Sequence, residues 1–451
     1  MFDAPMHSRK EQDWLYRLIS PFTWAIFSIS VFLVSFFFPP FTYEKYTSDP
    51  YYGYLNLNSA LFTGLSLMAM LAGWWTFQKI APPVRLDREI QSQSYAPVTM
   101  VDLAIGLILL MANIAFTVVV YRQGGFQQLM SINQSSEQAA AYFESIVEAA
   151  DSNGLGSLMQ LSAIVIPWFF WLRVQAVQSG SGTDKLLASG LFAVILISYA
   201  FPMFLLGRRN VILLPLFGVF LVWFLGQVKY GKANPVKFVT FLVTLGICAI
   251  SLFMVIELVR IGFLSGEGGL NDMLTRFIGY LVAPYNLQGA MLDGALTFPG
   301  EGKGYYWMSW FWRAPVLQHI IVAEDVIGTI PPYGVEARCD ALEANGFERH
   351  FTALPIFANS YVDFGWFGIF PFLFYGFAGA FTWKRFREGT VDGIVLYTMF
   401  AYSVLEWRAN ILFPAPYMGV AIVLLIVLGI GRWFLTASRH RQQLLHRPQA
   451  R

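Results

Sequence analysis

Ten stretches of the chain are long, apolar and almost free of charge: about 21–38, 58–77, 98–121, 157–172, 187–206, 210–228, 238–258, 361–383, 391–407 and 411–431. Each approaches the ~20 residues a helix needs to cross ~30 Å of hydrocarbon. The pattern predicts an all-α, polytopic integral membrane protein with about ten transmembrane helices. Only one intervening segment is long, at about 260–360. The chain therefore divides into a seven-span region at 1–258, a loop with interfacial helices at 259–360, and a three-span region at 361–451. Within the loop, 271–292 is moderately apolar but carries Asp272, Arg276 and Pro284. It is expected to form an interfacial or re-entrant helix. The polar run 138–150 is rich in helix formers and predicts a surface helix.

Composition agrees. Hydrophobic residues make up 56% of the 451, charged residues 13%, and mean hydropathy is +0.53. A soluble chain would carry roughly twice that charge, so a string of soluble domains is excluded. The first apolar run has no small-residue cleavage site before Pro39-Pro40, so it is expected to stay as a span. Cys248 falls in a span and Cys339 in the polar loop, which argues against a disulfide, and no Cys/His spacing suits a metal.

The net charge of +2 says little, but its distribution orients the chain. With the N-terminus inside, 19 of the 30 basic residues fall on the inner side, and six of the others lie in the long loop. Long loops hardly count in the positive-inside rule. Both termini are expected in the cytoplasm and the long loop outside.

That orientation gives two outward hairpin tips an unusual character. Gly207-Arg208-Arg209-Asn210 joins two uncharged runs, and Glu406-Trp407-Arg408-Ala409-Asn410 ends another span. Arginine in hydrocarbon costs several kcal/mol, so these groups must reach water, headgroups or an anion. Guanidinium forks bind phosphate oxygens in pairs. The tips suit a lipid-carried diphosphate; they also suit snorkelling anchors, and Glu406 and Arg408 could simply pair. Arg122, Arg260, Arg276 and Arg313 are further cations on the same side. His350, Asp363 and Glu406 are the candidate general bases. Asp363 could instead cap its helix, and a lone loop histidine is commonly inert. The aromatic run 304–313 could bury in a headgroup layer or stack on sugars, as could the tyrosines Tyr43, Tyr46, Tyr51, Tyr52 and Tyr54. The glycine-rich run 300–304 lacks P-loop spacing. No aspartate-rich diphosphate–metal motif is present, and no cofactor is expected.

The Gly-x-Arg tip at 207–209, the late long loop, and Tyr-x-Asp-Phe-Gly-x-x-Gly at 361–368 resemble Wzy-type O-antigen and exopolysaccharide repeat-unit polymerases. The resemblance implies a metal-independent glycosyltransferase of the bacterial inner membrane. It would join undecaprenyl-diphosphate-linked repeat units at the periplasmic face, the growing chain as donor and the incoming unit as acceptor. Partners would be those lipid-linked glycans, the bilayer and a chain-length regulator, with no nucleic acid. An Arg-x10-Gly motif of some members is not matched: Leu287 follows Arg276, and Glu324 follows Arg313, at that offset. An O-antigen ligase shares the chemistry with another acceptor. A transporter or flippase of lipid-linked sugars would need charges along a central path.

Overall fold

The computed structural model describes residues 9–37, 55–81, 98–122, 155–205, 209–230, parts of 233–251, 270–299, 302–312, 320–330, 335–347, 353–408 and parts of 419–426. Every regular element among them is helical: α1 (Arg9–Leu18), α2 (Pro21–Phe36), α3 (Leu57–Ile80), α4 (Met100–Arg122), α5 (Leu155–Ser179), α6 (Gly182–Leu205), α7 (Arg209–Lys229), α8 (Leu270–Leu292), α9 (Ser309–Trp312), α10 (Ala323–Ile327), α11 (Val335–Ala344), α12 (Ile356–Phe364), a 3-10 turn (Gly365–Ile369), α13 (Pro371–Glu388) and α14 (Val391–Leu405). Six of these helical segments are long and apolar enough to cross a membrane, or seven if α12 and α13 make one broken span. The chain is an all-helical polytopic membrane protein. The expected span at 238–258 is described only in part, the one at 411–431 falls largely outside the described residues, and the surface helix at 138–150 and the tyrosine cluster at 43–54 fall wholly outside them.

Local sequence sets where the helices start. Asn56 caps α3, its carboxamide oxygen accepting from the Asn58 and Ser59 N–H groups at 2.9 and 3.2 Å. Thr99 and Asp102 form a reciprocal box at the start of α4, with 2.9 and 3.3 Å bonds. Ser181 and Asp184 face each other likewise at α6, 2.9 Å apart. Two of the acidic residues in the apolar part of the chain are thus accounted for as caps.

Helix pairing gives the bundle two ends. Phe36, Leu57, Arg122, Leu155, Leu205 and Arg209 mark the upper end; Ile80, Met100, Ser179, Gly182, Lys229 and Glu388 mark the lower. α3 and α13 cross at glycines. A Cβ on Gly73 would sit 1.8 Å from the Leu373 carbonyl oxygen, and one on Gly376 1.9 Å from that of Met70. Small residues let membrane helices approach this closely. Leu107, Ile108 and Met111 of α4 and Ile197 and Phe201 of α6 remain exposed, as expected for lipid-facing positions.

One expectation changes here and another gains detail. The span expected as one helix over 361–383 is broken, with a 96° bend between Ile356–Ile369 and Pro371–Glu388. Gly365 takes a positive φ of 57°, Gly368 packs on the Ser360 backbone, and Pro371 starts a new helix. The helix expected to be interfacial or re-entrant, α8, is buried along 282–290. It packs on α2, α3 and α12, and Tyr285 and Trp307 join the main apolar core. This part of the long segment is built into the bundle.

Candidate functional site

The residues that carry a site lie where α14 stops short. α14 has 15 residues, so it rises ~22 Å, less than the ~30 Å hydrocarbon core. Ser28 Oγ donates to the Leu405 carbonyl at 2.9 Å and also approaches that of Val404. Ser28 lies eight residues before Phe36 at the top of α2, or ~12 Å along the helix. Glu406 and Arg408 thus sit inside the bundle, below its upper rim.

Four elements fix the segment that carries them. Besides Ser28 of α2, the Ile356 N–H of α12 donates to the Trp407 carbonyl at 2.9 Å. Trp407 Nε1 donates to the Tyr375 hydroxyl of α13 at 3.3 Å, and that hydroxyl lies 3.2 Å from Ser403 Oγ. Arg408 Nη1 donates to the Tyr280 carbonyl of α8 at 2.9 Å. Trp407, Tyr285 and Tyr375 are at most 1% exposed, so little can rearrange.

Arg408 Nη2 comes within 3.0 Å of Glu406 Oε2, with side chains 23% and 13% exposed. The contact lacks hydrogen-bond alignment, and Oε2 is buried without a hydrogen-bond donor. A buried polar seam also runs between α3 and α8. Ser59, Thr63 and Ser66 line one buried face of α3, and Thr63 Oγ1 accepts from Gln288 Nε2 at 2.8 Å. A carboxylate held by its guanidinium neighbour through one ion-pair contact, with further N–H groups on that guanidinium, is an arrangement that can serve proton transfer next to an anion.

The other candidates separate. Asp363 is 7% exposed. Its carboxylate accepts from the Tyr306 and Trp307 N–H groups at 3.1 and 2.8 Å. Ile356 lies against Trp407 and Asp363 is seven residues further along, so Asp363 is ~10 Å from the Glu406 end of α12. It pins the turn at 302–308. That turn's aromatics are core: Tyr305, Tyr306 and Trp307 are 5, 0 and 8% exposed, which leaves them no face for sugar or headgroups. Burial pushes the Tyr306 phenol up to about 12, against the lowering influence of Arg338, so it stays neutral.

Among the arginines, Arg276 lies on α8 four residues before Tyr280, ~6 Å along the axis. The Tyr280 carbonyl that Arg408 meets points along α8 away from Arg276, so this placement implies no contact between the two arginines. Arg209 begins α7. Arg122 ends α4, which packs on α5 and α6. Arg208, Arg260, Arg313 and His350 lie outside the described residues. Ser28, Tyr375 and the Tyr280 carbonyl were not singled out from sequence, because their roles depend on partners far along the chain. Among the described residues no group of three or more His, Cys, Asp and Glu could hold a metal ion. No family model matches the chain, and neither does any curated protein or solved structure.

Proposed function

We propose that the chain is a membrane glycosyltransferase that polymerises lipid-diphosphate-linked oligosaccharide repeat units at the outer face of the bacterial inner membrane. The observation that carries this reading is the Glu406–Arg408 ion pair, set below the bundle's rim, in which Glu406 Oε2 meets Arg408 Nη2 at 3.0 Å without an aligned hydrogen bond. Glu406 takes the proton from the acceptor hydroxyl. The hydroxyl oxygen bonds to the anomeric carbon as the bond from that carbon to the diphosphate oxygen breaks. Arg408, with Arg209 and Arg208 at the other tip, stabilises the charge that develops on the leaving diphosphate. The depth of the pair suits a substrate whose headgroup enters from the bilayer surface. Capping by Asp102 and Asp184 removes two charges that a transport path would have used.

The test is a gel of lipid-linked and exported glycans from a deletion strain carrying Arg408→Ala or Glu406→Gln. Each variant should reach normal protein levels, lose chain extension about 100-fold or more, and accumulate single repeat units. Full-length polymer in both would overturn the proposal. Long polymer left on its carrier in the deletion strain would assign the chain to ligation instead.

A further inference from the structure

α8 is buried yet carries Pro284 inside it. Proline has no N–H, so the carbonyl four residues earlier loses its helical donor. That carbonyl belongs to Tyr280, and Arg408 Nη1 donates to it at 2.9 Å. We infer that Pro284 is a positioning residue for Arg408: it leaves a backbone acceptor open that the guanidinium fills. The inference rests on the functional reading of Glu406 and Arg408 given above.

The released carbonyl matters because of what Arg408 would do without it. An arginine has five N–H donors in a rigid fork. Beside a lone carboxylate, such a fork closes into a bidentate pair that occupies both oxygens. With Nη1 held by Tyr280, the approach to Glu406 is limited to the single 3.0 Å contact through Nη2. The pair is then one contact to Oε2 rather than a closed fork on both oxygens, and Arg408 keeps donors for an anion. Tyr285, the residue after Pro284, packs its ring 5.3 Å from Phe32, which holds α8 against α2. The proline and the carbonyl it opens are therefore fixed relative to Ser28 and to the end of α14.

The test uses the purified full-length protein in detergent and in liposomes. Pro284→Ala restores an N–H at 284, which competes for the Tyr280 carbonyl. Phenylglyoxal labelling of Arg408, read by peptide mass spectrometry, should rise about tenfold, the change expected when a charge-assisted hydrogen bond is lost. Labelling of Arg385 in the same sample is the internal control and should not change. The unfolding temperature should stay level or rise while glycan extension falls, since a helix gains from losing an internal proline. A merely structural proline would instead move stability and extension together. If Pro284→Ala does not fold, replacing Leu281 with its α-hydroxy acid weakens the Tyr280 carbonyl as an acceptor without touching the proline. Unchanged Arg408 labelling in the folded variant overturns the inference and leaves the functional reading intact. Full extension by both Arg408→Ala and Glu406→Gln would sink that reading and leave the labelling result standing.

Discussion

Asp363 shows how a residue's partners decide what its replacement does. Its carboxylate satisfies two buried N–H groups, at 3.1 and 2.8 Å. Asparagine offers one carbonyl oxygen and turns an NH2 group toward the other donor. Asp363→Asn should therefore cost about 1–3 kcal/mol of stability, seen as a lower unfolding temperature in detergent. Polymer made per folded molecule should hold. Loss of extension at unchanged stability would instead place Asp363 in the chemistry. The string Tyr361-Val362-Asp363-Phe364-Gly365 stood out in the sequence, but its role did not, because the donors come from residues 56 and 57 positions away. Arg408 was legible as a cation beside a span. Its acceptor was readable in principle from Pro284, since an internal helix proline marks the carbonyl four residues earlier as open.

The position of each helix depends on a few places where no side chain fits. The α3–α13 crossing is the tightest, with Gly73 and Gly376 against opposing backbone. Backbone cannot rotate away as a flexible side chain can. Gly376→Ala should therefore exceed the ~1–3 kcal/mol usual for overpacking and cut the yield of monodisperse protein on size exclusion. Gly64→Ala is the matched control on α3. A Cβ there meets nothing within 4 Å, and alanine favours helix by roughly 1 kcal/mol. Equal behaviour of the two variants would show that the crossing is looser than described. At this scale the apolar runs gave the helices of 21–36, 57–80, 100–122 and 209–229 to within three residues, but stopped seven residues short of the end of 155–179 and began five residues late on 182–205, where polar residues continue the helices past the apolar run. They failed at 361–383, where hydropathy continues through Gly365, Gly368 and Pro371 but the backbone does not. They left α8 open between an interfacial and a re-entrant helix, because its polar residues pair inside the bundle; Gln288 with Thr63 is one such pair.

The whole molecule turns on which end of the bundle meets the cytoplasm. Lys79, Lys185, Lys229, Arg385 and Arg387 all lie toward the lower end, close to the turns between helices. Lys229 Nζ donates to the Glu388 carbonyl at 2.8 Å, and Arg385 bonds Asp392 at 2.7 and 3.1 Å, so part of this charge also locks the α13–α14 turn. The bias toward lysine and arginine at one end predicts that this end is cytoplasmic. Single cysteines on a background with Cys248 and Cys339 replaced by alanine report it directly. Gln178→Cys, exposed at the lower end of α5, should react with a membrane-impermeant maleimide only after permeabilisation. Arg122→Cys, exposed at the upper end of α4, should react in intact cells. The opposite pattern would turn Glu406 and Arg408 toward the cytosol, where a polymerase of externally presented lipid-linked glycans has no substrate. The charge asymmetry of the bundle and the chemistry assigned to its upper half therefore stand or fall together in that one labelling experiment.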